Sequence, residues 1–591
     1  MNKRILITLT LFVASVLFLT PPAETRGQNA TSPKPSDRRA TSITGRVLNE
    51  AGQPVRNAIV SVFGVGTPRP ERRNMNTDEE GKFRADDLPR GVYSVVTRTR
   101  GYVFAPDPNE QDYYRPGDSV TLRVKKGGVI TGTVTDMSGE PVVGIRVSAV
   151  LHRDAEGRSG PERGAGIPTY TDDRGIYRLF GLSPGFYLVA AGAKLPGFPM
   201  ASGFDDAAPT FYPSSTRDTG TEVAVQSNDE STGINIRYRG DRGYAVSGFV
   251  LGIEDPRGGA EVRLVRASTG AIEGLTNTQA RGKEYPFAFY GVPEGDYYVI
   301  AQRYSNATDD GARSRPIPLK VKNQPVAGVE LTLNSLSSVS GRLIIEATGA
   351  NDKSTRCETT QTPSVEEALI GTRRDQEEDA TAVLLMSLPT GTFGAPNDKG
   401  EFILQRIEAG HYRIETKKLD DAWYIRAIIL EDKRRGGSGV DAGRNGFSVK
   451  AGQRVSGLTV TLAEGAASLR GRVVPEKEGA ALPERLRVHL IPAETELADN
   501  TLRFAETAVQ SDGTFTVKNL APGRYRLATT QASVDEAGER SPRPIAWKSS
   551  SRASLRRDGE ASNITLELKP CQRITDYKLR YAPAKAQPAN Q

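Results

Sequence analysis

The chain has 591 residues, 25% of them charged and 37% apolar, with a formal net charge of +7. That length allows several domains of ordinary size, each with its own core. The charge is too mild for its length to point to nucleic acid, and three histidines leave little room for a histidine-built metal centre.

Lys3 and Arg4 precede an apolar stretch, Ile5 to Thr20, which Pro21-Pro22 ends. This is the pattern of a secretory signal peptide over residues 1–28, with cleavage expected near Ala23 to Ala30. The stretch is short for a membrane span, and no later apolar run reaches membrane length. The mature protein is therefore expected to be exported, to the periplasm, the cell surface or the extracellular space. Residues 29–42 read as a polar, Pro- and Arg-containing linker.

Five copies of one unit follow, expected at about 43–126, 130–240, 246–334, 339–464 and 468–570. Each opens on an apolar-x-Gly-x-apolar phrase: Ile43–Val47, Ile130–Val134, Val246–Val250, Val339–Leu343 and Leu469–Val473. Period-two alternation of this kind marks a half-buried strand. Each copy also carries Gly-x-Tyr, at Tyr93, Tyr187, Tyr297, Tyr412 and Tyr525. In copies one, two, four and five a second glycine (Gly81, Gly175, Gly400, Gly513) lies ten residues before the first, followed by an aromatic at Phe83, Tyr177, Phe402 and Phe515. Asp-containing turns precede those glycines, which supply the positive φ that a hairpin needs.

Each copy closes on another alternating run: Val120–Val124, Ile234–Tyr238, Val329–Leu333, Leu458–Leu462 and Ile564–Leu568. Several short strands and no convincing helix per unit predict an all-β chain, a tandem array of five Greek-key, immunoglobulin-like β-sandwiches. Joints of only a few residues, as at Lys125–Val129, predict limited swing and a semi-rigid rod or arc. The repeated tyrosine resembles a tyrosine corner, whose hydroxyl bonds back to nearby backbone. A residue needed once per unit reads as a fold device rather than as five active sites.

Module three lacks the Asp-x-Gly turn and has Gly282–Phe287 instead. Module four carries an expected insertion, 349–381, whose charged stretch Ser364–Asp379 is the one place a helix is foreseen, with a disordered loop as the alternative. Residues 571–591 read as a frayed tail. The two cysteines, Cys357 and Cys571, could form one bridge in an exported chain, clamping neighbouring domains; nothing in the sequence shows that they meet. Alternating charges, as in Glu484–Val488, read as solvated strand faces.

The order Ile43-Thr-Gly-Arg-Val, Gly52-Gln-Pro-Val, Thr77-Asp-Glu-Glu-Gly-Lys-Phe, Leu88-Pro-Arg-Gly-Val-Tyr93 resembles the carboxypeptidase regulatory-like domain. Ile130 to Tyr187 and Leu469 to Tyr525 repeat that order, and modules three and four follow it more loosely. The resemblance implies a prealbumin-like (transthyretin-like) sandwich, found as an accessory domain on metallocarboxypeptidases, outer-membrane receptors and bacterial surface proteins. Similar sandwiches serve as carbohydrate-binding modules. Resemblance of fold does not choose among these roles.

No catalytic constellation emerges. A zinc peptidase needs two histidines and a glutamate around its metal, yet none of His152, His411 and His489 begins His-x-x-Glu. Gly181-Leu-Ser183-Pro-Gly185 has the Gly-x-Ser-x-Gly spacing of a hydrolase elbow, but it lies within the repeat phrase and lacks a following helix signal. The acidic pairs Asp172-Asp173, Asp205-Asp206, Asp309-Asp310 and Asp420-Asp421 form no calcium loop and read as turns. No cofactor is expected.

The remaining binding candidates are loop aromatics: Tyr113, Tyr114, Phe211, Tyr212, Trp423 and Tyr424. Exposed rings serve as platforms for sugar faces, whereas buried rings would plug the ends of the sandwiches. The overall reading is a non-enzymatic spacer, scaffold or adhesion rod, with polysaccharide binding through these rings as the alternative and peptidase-accessory domains as a remote one. A polysaccharide or an envelope or cell-surface protein is the expected partner.

Overall fold

The computed structural model describes residues 41–581 apart from 68–69, 106–112, 193–203, 205–206, 254–257, 279, 281–283, 304–310, 347–356, 358–363, 376–392, 418–419, 432–438, 476–480, 484 and 532–543, and apart from the side chains of 159–167. The expected signal peptide, nearly all of the linker, most of the insertion and the end of the tail lie outside the described residues.

The same strand logic recurs five times. Each opener strand (Ile43–Leu48, Gly128–Thr135, Tyr244–Leu251, Ser337–Ile345, Ala467–Val474) pairs antiparallel with the strand bearing the repeat aromatic. On its other side it pairs parallel with the closing strand. A facing sheet joins the strand bearing Gly-x-Tyr to the second strand of the module, antiparallel in all five. One apolar cluster fills the space between the sheets of each module. Module three alone, among the described residues, links its two sheets into one, through Ala312–Ser314.

The opener glycine has a steric cause. Gly45, Gly132, Gly248, Gly341 and Gly471 stand directly opposite Phe83, Tyr177, Phe287, Phe402 and Phe515 in the antiparallel register. A Cβ at any of the five would overlap a carbonyl oxygen of the closing strand (Val120, Ile234, Val329, Leu458, Tyr577). At Gly132 that oxygen belongs to Ile234 and also accepts a 2.6 Å bond from the Tyr177 hydroxyl. Gly132→Ala is therefore expected to cost about 1–3 kcal/mol, the usual range for overpacking, read as a lower unfolding midpoint for module two alone. The turn glycines Gly81, Gly175, Gly400 and Gly513 have φ of 70°, 72°, 78° and 84°, the left-handed region their Asp-containing turns require.

Four expectations are corrected. The stretch expected as helix or loop in module four contains a buried strand, Leu369–Arg374, preceded by a single helical turn at Val365–Glu367. This is the second strand of that sandwich: Leu369 and Ile370 are fully buried, and their burial overrides the surrounding charge. The helix lies in module five instead, at Ser549–Ser562, with Leu555 and Gly559 as its buried positions. The expected tail supplies that module's true closing strand, Arg573–Arg580, so module five extends past residue 570, and Thr565–Leu568 pairs with the tyrosine strand instead. Finally, Arg487, expected on a solvated face, is buried and paired with Glu506 at 3.3 Å, because the strand Leu486–Pro492 is buried along its whole length.

Candidate functional site

The five repeated tyrosines do one job. Each hydroxyl donates to the carbonyl four residues earlier: Tyr93 to Pro89 (2.8 Å), Tyr187 to Ser183 (2.7 Å), Tyr297 to Pro293 (2.9 Å), Tyr412 to Glu408 (2.9 Å) and Tyr525 to Ala521 (2.7 Å). Burial pushes the phenols of Tyr93, Tyr187 and Tyr525 up to about 12, and that of Tyr297 further still. They are neutral donors at any ordinary pH and poorly suited to acid–base chemistry.

The other candidates for chemistry are dispersed. Ser183 lies in the turn between two strands, Ile176–Leu182 and Gly185–Ala191, and its carbonyl is the one that Tyr187 holds. His489 is buried, its imidazole pulled down to about 4 by desolvation and by Arg487, and it shares a 2.8 Å bond with Thr530. His152 lies 3.5 Å from Glu222, and His411 lies 3.2 Å from Asp375. Among the described residues no three His, Cys, Asp or Glu side chains cluster as metal ligands. Asp172 holds its turn by accepting the Ile176 and Arg174 amides.

The predicted aromatic platform is not assembled. Phe211 and Trp423 are buried, at 4% and 5% exposure, and Tyr113, Tyr114, Tyr212 and Tyr424 are each half-buried. Tyr114 exchanges backbone hydrogen bonds with Tyr93, extending the corner strand of module one, and its side chain packs on that module's core. Trp423 belongs to the core of module four, and Phe211 sits under the Arg217 guanidinium at 5.6 Å.

Several charged residues without counterparts in the other modules lie at the joints. Between modules two and three, Glu273 accepts from Arg217 (3.3 Å) and Arg266 (2.9 Å), and all three side chains are at most 13% exposed. Arg266 also donates to the hydroxyl of the corner tyrosine Tyr297 at 3.0 Å and lies over its ring. Between modules three and four, Arg313 reaches Glu408 at 2.9 Å, and Arg374 holds the same carboxylate at 2.6 Å. Between four and five, Asn519 donates to the carbonyls of Asp420 and Trp423, both at 2.7 Å, and Arg444 pairs with Asp499 at 2.9 Å. Arg413 spans the same joint, bonding the Gly443 and Arg444 carbonyls and lying over the Trp547 ring at 5.7 Å.

The fourth joint is also covalent. Cys357 and Cys571, 214 positions apart in sequence, form a disulfide, with Cα atoms 5.2 Å apart. It ties the segment that packs on module four's core to the turn before the closing strand of module five. Cys571→Ser is expected to lower the unfolding stability of modules four and five by about 2–4 kcal/mol, measured by calorimetry against the oxidised chain.

The joint arginines Arg217, Arg313 and Arg413 carry no sequence signal, since Glu273, Glu408 and Thr501 each come from the next module. The arginines over Tyr297, Tyr412 and Tyr525 could have been suspected only from the need of a buried ring edge for polar company.

Residues 42–109 match the family model of the carboxypeptidase regulatory-like domain. The match falls within module one. No curated protein matches the chain. Among solved structures, the Bacillus anthracis TIE protein matches at 15% identity over 50% of this chain, with a TM-score of 0.13; the match spans half of that protein. The minor pilin GBS52 of Streptococcus agalactiae matches at 12% identity over 34% of this chain and 96% of its own, with a TM-score of 0.19. Two B repeat units of the Staphylococcus aureus collagen-binding protein match at 11% identity over 72% of this chain and 100% of their own, with a TM-score of 0.13. The all-β architecture described above rests on the chain's own strand pairing. Among the described residues no helix is long and apolar enough to cross a membrane.

Proposed function

We propose that the chain is an exported, non-enzymatic scaffold, a series of β-sandwich modules that holds or spaces partners at the cell exterior. The observation that carries this reading is the division of labour among its residues. The repeated residues serve each module's own fold, and several buried arginines peculiar to single modules, Arg217, Arg313 and Arg413, bridge to the next module. A disulfide at one joint suits an oxidising compartment, in line with the N-terminal export pattern. Accessible faces would then meet an envelope or cell-surface protein.

Polysaccharide binding through the loop aromatics has little support, because none of the six rings is exposed. A glycan panel tests the choice, with fluorescence of Trp423 and Trp547 as readout. The scaffold reading predicts no saturable change with any glycan. Saturable binding, lost on Tyr113→Ala or Tyr424→Ala, would move the protein to the carbohydrate-binding class.

A further inference from the structure

Modules one and four are not neighbours in the chain, yet they touch. Arg115 of module one lies 3.8 Å from Glu367 and 3.6 Å from Asp420 of module four. Arg90 lies 3.8 Å from Glu366 and 3.5 Å from the Ser364 hydroxyl. Lys417 faces the Tyr113 ring at 6.0 Å, and the Ala395 amide donates to the Gly66 carbonyl at 2.8 Å.

The composition of this contact differs from that of the joints. Arg90 and Arg115 of module one face Glu366, Glu367 and Asp420 of module four, with Lys417 of module four and Asp118 of module one as the opposite charges beside them. The ion pairs are long, and their side chains run from 15% exposed (Arg115, Glu367) through 20% (Asp420) and 24% (Glu366) to 39% (Arg90), where the joint arginines Arg217, Arg266 and Arg313 are 7%, 4% and 4% exposed. No covalent link crosses the contact among the described residues, whereas the joint between four and five has one. Long, partly solvated pairs are the kind that salt screens, because the Debye length falls from about 10 Å at 0.1 M to about 3 Å at 1 M.

We propose that this contact is a reversible latch: charge pairing seats module one on module four, and rising ionic strength releases it while the neighbouring joints stay closed. Release would uncover the acidic face of module four and lengthen the reach of module one, so an exported scaffold could respond to the salinity around it.

The test is single-molecule energy transfer between dyes on Arg72→Cys and Glu401→Cys, exposed positions on modules one and four. The native cysteines are bonded to each other and stay unlabelled. The latch predicts high transfer in dilute buffer and low transfer at about 0.5 M salt. Arg90→Glu/Arg115→Glu should give low transfer at every salt concentration, and adding Glu366→Arg/Glu367→Arg/Asp420→Lys to that chain should restore the high value at low salt. The restored chain, with an unchanged thermal transition for module one, separates latch loss from misfolding. Transfer that is high and indifferent to both salt and charge reversal would overturn the latch, as would low transfer in the native chain at low salt.

Discussion

Tyr187→Ala is expected to unfold module two selectively, at a cost of about 3–5 kcal/mol. The ring is fully buried among Ile130, Leu179, Val189 and Val223, so truncation leaves a cavity between the two sheets. The Ser183 carbonyl also loses its donor. Tyr187→Phe separates these effects: it keeps the ring and should cost about 1–2 kcal/mol. The phenol adds a pH signature. Its folded value is raised to about 12 by burial, above the ordinary value near 10, so the neutral form is the one the fold prefers. The stability it contributes is complete below about pH 10 and is lost as pH rises towards 12. Tyr187→Phe should flatten that alkaline loss for module two in a pH series of melts, and an unchanged slope would show that the hydroxyl is not held as described.

Glu273→Ala should be as damaging at the next joint. Its carboxylate lies between two arginines whose side chains are 7% and 4% exposed, and neither can shed its charge at accessible pH. Burial pulls the Arg217 guanidinium down more than Glu273 restores, whereas at Arg266 the pull of burial is outweighed by Glu273 and Tyr297. Removing the carboxylate leaves two like charges close together in a low-dielectric joint, a change that costs about 3–5 kcal/mol when a buried pair is broken from one side. Arg217→Leu with Glu273→Leu removes the contact between the two like charges and leaves Arg266 alone without its carboxylate, so it should cost less than Glu273→Ala. Calorimetry of modules two and three reads the difference. Equal costs for the single and double variants would mean that the carboxylate holds the joint by packing alone.

The repeat was legible because its residues answer local demands that recur. A glycine must face an aromatic across two strands, another must take a left-handed turn, and a tyrosine must bond four residues back; each demand fixes a spacing. Where a module departs from even spacing, the reading slipped. The helix Ser549–Ser562 pushes the last closing strand beyond Cys571, and its Ser- and Arg-rich sequence shows little apolar face. Leu369–Arg374 was hidden by the charge around it, although Ile370 faces the core and Leu369 is buried on the opposite side of the strand, near Gly66 of module one. The loop aromatics drew attention as rings, but burial is a property of the neighbours, and theirs come from the same module's core or from another module, as Lys417 does at Tyr113. The joint arginines Arg217, Arg313 and Arg413 were illegible for the same reason: Glu273, Glu408 and Thr501 lie 56, 95 and 88 positions away.

Stretching single molecules from both ends tests the scaffold most directly. The account predicts that modules one to three unfold in separate steps, while the 214-position span between Cys357 and Cys571 yields no length until a reductant is added. Reduction should then release on the order of 700 Å more contour, at about 3.3–3.6 Å per residue. Full extension without reductant, or collapse of all five modules in one step, would contradict it.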